Sequence, residues 1–209
     1  LVQQDYDLIW AIGFLMTDAL NNVAEMYPDY NFGIIDAVVD QPNVLSVTYK
    51  EHEGSFLAGV LAALWSKTGK IGFVGGMDTP LIQKFEAGYV AGVKAVRPDA
   101  EVLVAYTGAF DDPGKGKELA MTQFSQGADI IYHASGACGL GVIEAAKEMG
   151  RYAIGVDSDQ SHLAPKNVVA SMIKLVDVGV FTGAEALSEG KFEGGHIELG
   201  LAEDGVGLA

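Results

Sequence analysis

The chain has 209 residues and a formal net charge of −15, from 13 basic and 28 acidic residues. A surface of that charge repels the phosphate backbone of nucleic acid, and no cluster of lysine or arginine offsets it, so the composition excludes a nucleic-acid-binding protein. It favours a neutral or cationic ligand over a strongly acidic one. The length suits one compact protein or two small lobes of ~100 residues each.

Cysteine content and the chain ends narrow the class further. The single cysteine, Cys138, excludes an internal disulfide or a cysteine-cluster metal site, and its small apolar neighbours predict a packed thiol. No run approaches the ~18 apolar residues of a membrane-spanning helix. The chain opens in amphipathic sequence that leads into a strand, so we expect it to be a segment of something longer.

Nine short runs rich in β-branched and other apolar residues recur along the chain. They cover residues 7–13, 31–36, 44–49, 70–75, 101–107, 129–134, 152–156, 168–174 and 196–201. Most are apolar nearly throughout rather than alternating, which is typical of strands buried on both faces of a parallel sheet. Periodicity alone leaves open whether they form one large sheet or two smaller ones.

Amphipathic helical patterns lie between these strands. Residues 53–69 form an apolar face, with Ser55 as the candidate N-cap and Gly69 after the helix. Residues 78–96 open with Asp-Thr-Pro, which favours a helix start. Further helical patterns cover residues 112–127, 139–150 and 175–190. Strand and helix therefore alternate, which predicts an α/β fold with parallel sheets and right-handed crossovers.

The residues that follow each strand are the candidates for a site, because ligands bind beyond the carboxyl ends of strands in open parallel sheets. Asp18 follows the first strand, and Met77 follows a glycine pair after the fourth. The sixth strand is followed by "GACGLGV", which offers backbone N–H groups at a helix N-terminus or forms only a tight turn. "GFVGGM" lacks the G-x-G-x-x-G spacing of a dinucleotide site.

The most informative stretch is "YAIGVDSDQSH", in which an apolar strand ends in Asp157 and Asp159. It begins like a calcium loop, but His162 stands where glycine is needed and Val168 where the bidentate glutamate is needed. No histidine spacing, nucleophile elbow or P-loop indicates a metal or catalytic site. A carboxylate directly after a strand can accept hydrogen bonds from the vicinal hydroxyls of a ribose. We therefore expect Asp157 to face a ligand and Asp159 to cap the following turn.

Five blocks of the chain together resemble a known family. They are "KIGFVGGMDTPLIQKFEAGYVAGVKAVRPDAEV", "GAFDDPGKGKELA", "QGADIIYHASGACGLGVIEAAKE", "YAIGVDSDQ" and "SMIKLVDV". In this order and spacing they are similar to the basic membrane protein (BMP) family, the purine-nucleoside-receptor-like substrate-binding lipoproteins of bacterial ABC transporters. The resemblance covers essentially the whole chain.

The resemblance implies a type I periplasmic-binding-protein fold. Such a fold has two three-layer α/β/α lobes with parallel sheets, joined by crossovers, and binds its ligand between them. On that template, residues 1–48 and 161–187 form lobe I, and residues 49–160 and 188–209 form lobe II. The family carries a further N-terminal segment with an Asp-Asp-x-Ser-Phe-Asn type motif that is not found here. We therefore expect a chain truncated at both ends, with an incomplete lobe I.

The resemblance also implies the ligand-binding residues by position. Asp157 would hold the ribose diol, and Lys174 would reach the 5′-hydroxyl or the ring oxygen. The base would be contacted by the acceptor Asp18, the stacking aromatic Tyr132, and the cleft-lining Gly136 and Met77. Three of these side chains have a structural alternative: a helix cap for Asp18, the core for Tyr132 and a solvated surface for Lys174.

The implied function is that of a solute-binding component of an ABC transporter, not an enzyme and without a cofactor, a metal or catalytic residues. It would bind a purine nucleoside (guanosine, inosine or adenosine) and deliver it to the permease subunits. It would be extracytoplasmic, either periplasmic or lipid-anchored through the N-terminal segment, with no other contact to the membrane.

Two alternative functions stay open. One keeps the fold for another flat heterocycle, such as a flavin, or for a ligand-sensing regulator. The other is a nucleoside-processing enzyme that uses Asp157 and Asp159 as its catalytic or metal-binding pair.

Overall fold

The computed structural model describes all 209 residues and divides the chain into two compact units. Unit 1 comprises Leu1–Lys50 and Leu175–Gly205, and unit 2 comprises Glu51–Lys174 and Val206–Ala209. The chain therefore crosses between the units three times.

Strands and helices alternate along most of the chain. In chain order the strands are β1 (Leu8–Ile12), β2 (Asn31–Ile35), β3 (Val44–Tyr49), β4 (Lys70–Gly75), β5 (Glu101–Tyr106), β6 (Ile130–Ala134), β7 (Tyr152–Asp157), β8 (Val168–Lys174), β9 (Gly195–Leu199) and β10 (Val206–Leu208). The helices are α1 (Thr17–Met26), α2 (Glu51–Trp65), α3 (Pro80–Val96), α4 (Pro113–Ser125), α5 (Cys138–Glu148) and α6 (Val176–Ser188). None of the helices combines the length and hydropathy that a membrane span requires.

The nine predicted strands are all present, each within two residues of the expected bounds. The five predicted helices are present as well, but α2 begins at Glu51, so Ser55 lies inside it and is not the N-cap. In α4 the cap is Asp112, whose carboxylate accepts a hydrogen bond from the Lys115 backbone N–H at 3.0 Å. Strand β10 and helix α1 were not predicted.

Unit 1 is built on a four-stranded parallel sheet in the order β1-β2-β3-β9. Helix α1 packs on one face through Leu20 and Ala24, against the buried sheet residues Phe32 and Ile34. Gly183 of α6 lies close to Trp10 of β1, so α6 contacts the sheet as well.

Unit 2 is built on a six-stranded sheet in the order β10-β8-β7-β6-β4-β5. All its neighbouring strands are parallel except β10, which runs antiparallel to β8. Helices α4 and α5 cover one face through a core that includes Phe124, Ile131 and Val142. Helices α2 and α3 cover the other face, where Phe73 and Tyr89 are buried. The central strands are mostly apolar because both of their faces are covered.

The unit boundaries differ from the predicted lobes at residues 49–50, which lie in unit 1, and in two longer segments. Residues 161–174 belong to unit 2, because β8 pairs with β7 in the same sheet. Residues 188–205 belong to unit 1, because β9 pairs with β3. Sheet pairing sets both boundaries, whereas the lobe bounds were those that the resemblance implied.

Candidate functional site

Four of the predicted ligand-binding residues lie at one edge of the unit 2 sheet. Met77 follows β4, Gly136 follows β6, Asp157 ends β7 and Lys174 ends β8. These four strands are parallel neighbours, so their carboxyl ends meet at the same edge. This is the edge at which open parallel sheets bind ligands.

Asp157 is exposed and held in an uncommon backbone conformation. Its φ is 66°, and the Ser158 N–H donates to the Val156 carbonyl at 2.8 Å, which makes Asp157 the centre of a tight three-residue turn. A non-glycine residue at positive φ costs of order 1 kcal/mol, and such residues cluster at functional sites. The turn holds the Asp157 carboxylate at the surface of the sheet edge.

Asp159 caps its own turn, as predicted. Its carboxylate accepts hydrogen bonds from the Ser161 backbone N–H at 2.9 Å and from the Ser161 hydroxyl at 3.0 Å. The backbone hydrogen bond, followed by the hydroxyl bond, lowers the pKa of Asp159 below its usual value. Because these local donors engage the Asp159 carboxylate, the structure gives no support to a catalytic pair with Asp157.

Lys174 is buried, with 8% of the residue exposed, so it is not a solvated surface lysine. Its Nζ lies 3.9 Å from Oε1 of Glu51 and 5.6 Å from the centre of the Phe85 ring. Glu51 is fully buried, and its Oε2 lies 3.8 Å from Nζ of Lys84. Sequence reasoning missed Glu51. The signal was present, since an acid two residues beyond the buried strand β3 resembles the position of Asp157 at the end of β7.

Tyr132 lies in the core of unit 2. It is fully buried, its ring centre lies 5.1 Å from that of Tyr89 and 5.7 Å from that of Phe73, and its hydroxyl lies 3.2 Å from the Ser55 hydroxyl. In this structure the ring is therefore not accessible for stacking on a ligand. Burial raises the pKa of Tyr132, and the nearby charges of Asp157 and Glu51 raise it further. The charges of Asp157 and Glu51 therefore act on the buried Tyr132 hydroxyl.

Phe110 is an aromatic residue at this sheet edge that sequence reasoning did not select. It is half-buried in the loop after β5, and its backbone carbonyl accepts a hydrogen bond from the Ala137 N–H at 2.8 Å. A Cβ on Gly76 would lie 2.1 Å from the Phe110 ring, so the ring packs directly on that glycine. Gly136, at a φ of 57°, lies beside the same residue. The signal in the sequence is an aromatic residue that follows a strand within the "GAFDD" block.

Cys138 and Asp18 complete the predicted residues. The Cys138 thiol is buried and donates to the Ala109 carbonyl at 3.4 Å, which confirms a packed thiol.

Asp18 is exposed in the first turn of α1 in unit 1. The N-cap of that helix is Met16 without a side-chain cap, so Asp18 is not the cap residue. Its carboxylate still lies where the positive end of the helix dipole favours a negative charge.

Comparison with known proteins identifies the family. Residues 1–209 match the Bmp family, described as ABC transporter substrate-binding protein PnrA-like. The chain is 44% identical over 210 residues to Basic membrane protein D of Borreliella burgdorferi, with 97% of this chain and 62% of that protein covered. It is 40% identical over 225 residues to the ABC transporter nucleoside-binding protein BmpA of Lactococcus lactis, with 99% and 64% covered. The chain thus spans less than two thirds of the length of these curated relatives.

Solved structures agree with this assignment. The structure of an ABC transporter system solute-binding protein from Aeropyrum pernix matches with a TM-score of 0.93 and 36% identity, over 100% of this chain and 61% of that one. A transcriptional activator of the comK gene from Bacillus halodurans matches with a TM-score of 0.88 and 27% identity, over 100% and 72%. The predicted type I periplasmic-binding-protein fold is confirmed, and the chain belongs to the Bmp family of PnrA-like ABC transporter substrate-binding proteins.

Proposed function

We propose that this chain is the ligand-binding part of an extracytoplasmic ABC transporter receptor, and that it binds a purine nucleoside and passes it to permease subunits without altering it. The observation that carries the proposal is the pairing of an exposed, strained Asp157 with a buried Lys174 on the neighbouring strands β7 and β8. The two residues bring an acceptor and a donor of hydrogen bonds to one sheet edge.

The ribose is the part of the ligand that this pair suits. An ionised carboxylate accepts two hydrogen bonds in a fixed geometry, which matches the vicinal hydroxyls of a ribose. The Lys174 ammonium donates, and the 5′-hydroxyl and ring oxygen of a ribose both accept. A ligand without these hydroxyls would leave a desolvated carboxylate without its hydrogen bonds, so the site would discriminate against it.

The base is proposed to stack on Phe110 rather than on Tyr132. Phe110 is the half-buried ring at the carboxyl edge, whereas Tyr132 is enclosed in the core. Stacking of a base on an aromatic ring contributes about 1–3 kcal/mol. Gly136 and Met77 adjoin the same edge and are proposed to line the site, and the role of Asp18 as an acceptor for the base stays a prediction.

The comparisons support a nucleoside as the ligand class. The relative from Lactococcus lactis is named as a nucleoside-binding protein, and this chain aligns with it over 99% of its length. A second candidate function is that of a ligand-sensing regulator, because the Bacillus halodurans neighbour is titled a transcriptional activator. Both functions use the same binding step, which can be tested first.

Calorimetric titration of the complete protein with guanosine, inosine, adenosine, cytidine and riboflavin tests the proposal. We expect purine nucleosides to bind, and Asp157→Asn and Lys174→Met each to weaken that binding by about tenfold or more, because hydrogen bonds to charged groups contribute about 1.5–3 kcal/mol. Phe110→Ala should weaken it by a similar factor, while Phe110→Tyr should not.

Asp159→Asn is the matched control, because Asp159 lies in the same turn as Asp157 but is engaged by Ser161. It should leave the affinity within about twofold of wild type. Release of free base from the nucleoside would overturn the proposal that the protein binds the nucleoside without altering it. Preferential binding of cytidine or riboflavin would overturn the purine assignment, and wild-type affinity in Asp157→Asn would remove that residue from the site.

A further inference from the structure

Glu51 is a buried acid at the first position of unit 2, where the chain enters that unit from β3. It is fully buried, whereas acids are almost never fully buried unless they are paired. Its two oxygens face two different cations: Oε1 lies 3.9 Å from Nζ of Lys174, and Oε2 lies 3.8 Å from Nζ of Lys84. The Glu51 carboxylate, which belongs to α2, therefore links Lys174 of β8 to Lys84 of α3.

The two lysines differ in how much the stabilisation of their charge depends on Glu51. The side chain of Lys84 is 42% exposed, so water solvates part of its charge. The side chain of Lys174 is only 6% exposed, and its ammonium has the Phe85 ring at 5.6 Å on another side. An ammonium removed from water needs an opposite charge close by. Glu51 supplies that charge to Lys174.

Position along the chain also limits where the Lys174 side chain can go. Lys174 is the last residue of β8 and pairs with Val206 of β10 on one side, while β7, which ends in Asp157, lies on the other. Strand pairing thus fixes the Lys174 backbone, and the Phe85 ring and the Glu51 carboxylate lie near its ammonium. A long flexible lysine held in this way keeps its ammonium in one place, which lowers the entropy lost when a ligand binds.

From this arrangement we propose that Glu51 is a positioning residue for ligand binding, which holds the Lys174 ammonium at the carboxyl edge of the unit 2 sheet without contacting the ligand itself. The inference rests on the proposed function, in which Lys174 contacts the ribose. It assigns to Glu51 a role in affinity rather than only in folding. The buried Tyr132 hydroxyl lies close enough to Glu51 and Asp157 for both charges to act on it, so the positioning acid and the proposed ribose acceptor belong to one cluster.

A double-mutant cycle on the complete protein tests this role with guanosine as the ligand. We expect Glu51→Gln, which keeps the shape of the side chain but removes its charge, to weaken guanosine binding by about tenfold. In a Lys174→Met background the same change should cause no further loss, because the ammonium that Glu51 positions is absent. A residue that only stabilises the fold would weaken binding by the same factor in both backgrounds.

Lys50→Met provides the matched control. Lys50 precedes Glu51 in the chain and also forms an ion pair, with Glu203 at 3.6 Å, but its side chain is 29% exposed and lies in unit 1. This change should leave guanosine affinity within about twofold of wild type.

If Glu51→Gln does not fold, Glu51→Asp serves in its place, since it keeps the charge but withdraws it by one methylene. It should weaken guanosine binding when Lys174 is present and cause no further loss in the Lys174→Met background.

The outcomes separate this inference from the proposed function. Absence of guanosine binding by wild type, or wild-type affinity in Lys174→Met, would overturn the proposed site and the role of Glu51 with it. Loss of binding in Lys174→Met together with wild-type affinity in Glu51→Gln would leave the proposed function standing and overturn the positioning role. Equal losses in both backgrounds would also overturn that role and leave Glu51 as a structural residue.

Discussion

His133 shows how a single buried residue supports the turn that carries Asp157. It is fully buried in β6, and its Nε2 lies 2.9 Å from Oε1 of Gln160. The same oxygen accepts the Val156 backbone N–H at 3.1 Å. An amide oxygen can only accept, so the imidazole donates through Nε2. A Cβ on Gly139 would lie 2.0 Å from the ring, so a glycine early in α5 makes room for it.

The His133 imidazole should make stability depend on pH. Burial lowers its pKa to about 4, despite an opposing contribution from Gln160. The unfolded chain binds this proton with a pKa near 6.5, so the contribution is present above that pH and is lost as the pH falls from about 6.5 towards 4. Between pH 7 and pH 5 wild type should lose about 2 kcal/mol more unfolding free energy than His133→Gln does.

Urea denaturation at the two pH values measures this difference. The exposed His162 provides the control, because His162→Gln should retain the full pH dependence of wild type. Equal pH dependence in wild type and His133→Gln would show that burial of His133 does not govern acid stability.

The capping role of Asp159 could be predicted at the residue scale, and the burial of Tyr132 could not. Asp159 is three positions beyond the apolar run and engages its own turn, as its sequence position suggests. Tyr132 belongs to a strand that is apolar on both faces, so alternation cannot tell a residue directed at the core from one directed at a ligand. Phe110 lies in a loop, where periodicity carries no signal.

At the scale of elements, α2 and α3 pack with their backbones almost in contact. A Cβ on Gly59 would lie 2.1 Å from the Tyr89 carbonyl oxygen, and one on Gly92 would lie 2.1 Å from the Phe56 carbonyl oxygen. Real Cβ atoms do not come this close to backbone. The glycines therefore allow α2 and α3 to pack closely together. This helix pair, which includes Glu51, covers the face of the unit 2 sheet on which the Tyr132 side chain lies.

Gly92→Ala should destabilise the protein although alanine favours helices by about 1 kcal/mol over glycine. The new methyl group meets backbone rather than a flexible side chain, so α2 and α3 must separate, at a net cost of about 1–3 kcal/mol. Urea denaturation compares this variant with Ala91→Leu, an exposed change on the same helix that should be nearly neutral. A stabilised Gly92→Ala protein would show that propensity outweighs packing at this crossing.

Strand positions were predicted well because buried parallel strands are apolar runs bounded by turn residues, as in β4 and β6. Strands β8 and β9 each pair in the other sheet from the one that the lobe bounds implied, because those bounds came from the resemblance and not from strand pairing, which leaves no local pattern in the sequence. Strand β10 was missed since three residues are too few for a periodic signal. The fold as a whole came from resemblance, not from periodicity.

Charge is the property of the whole molecule that bears on ligand choice. The chain carries a net charge of −15, and the cations nearest the proposed site are already balanced. Lys174 and Lys84 face Glu51, and Asp157 adds a second negative charge at the same edge, so the cluster has two positive and two negative groups. No excess positive charge is left there to receive a phosphate.

With the proposed site, the protein should therefore prefer guanosine to guanosine monophosphate by about a hundredfold or more, because a like charge placed against an interface costs several kcal/mol. The long-range part of this repulsion is screened by salt, with a Debye length of about 10 Å at 0.1 M and about 3 Å at 1 M. Raising the salt concentration should narrow the gap between the two ligands while leaving guanosine affinity nearly constant. Calorimetric titration of both ligands at low and high salt measures the difference.

Glu51→Gln gives the decisive comparison. Removing one negative charge should weaken guanosine binding but reduce the difference in affinity between guanosine and its monophosphate. Equal affinity for the two ligands at low salt would mean that the sheet edge presents more positive charge than its balanced ion pairs indicate, and that a nucleotide is the natural ligand.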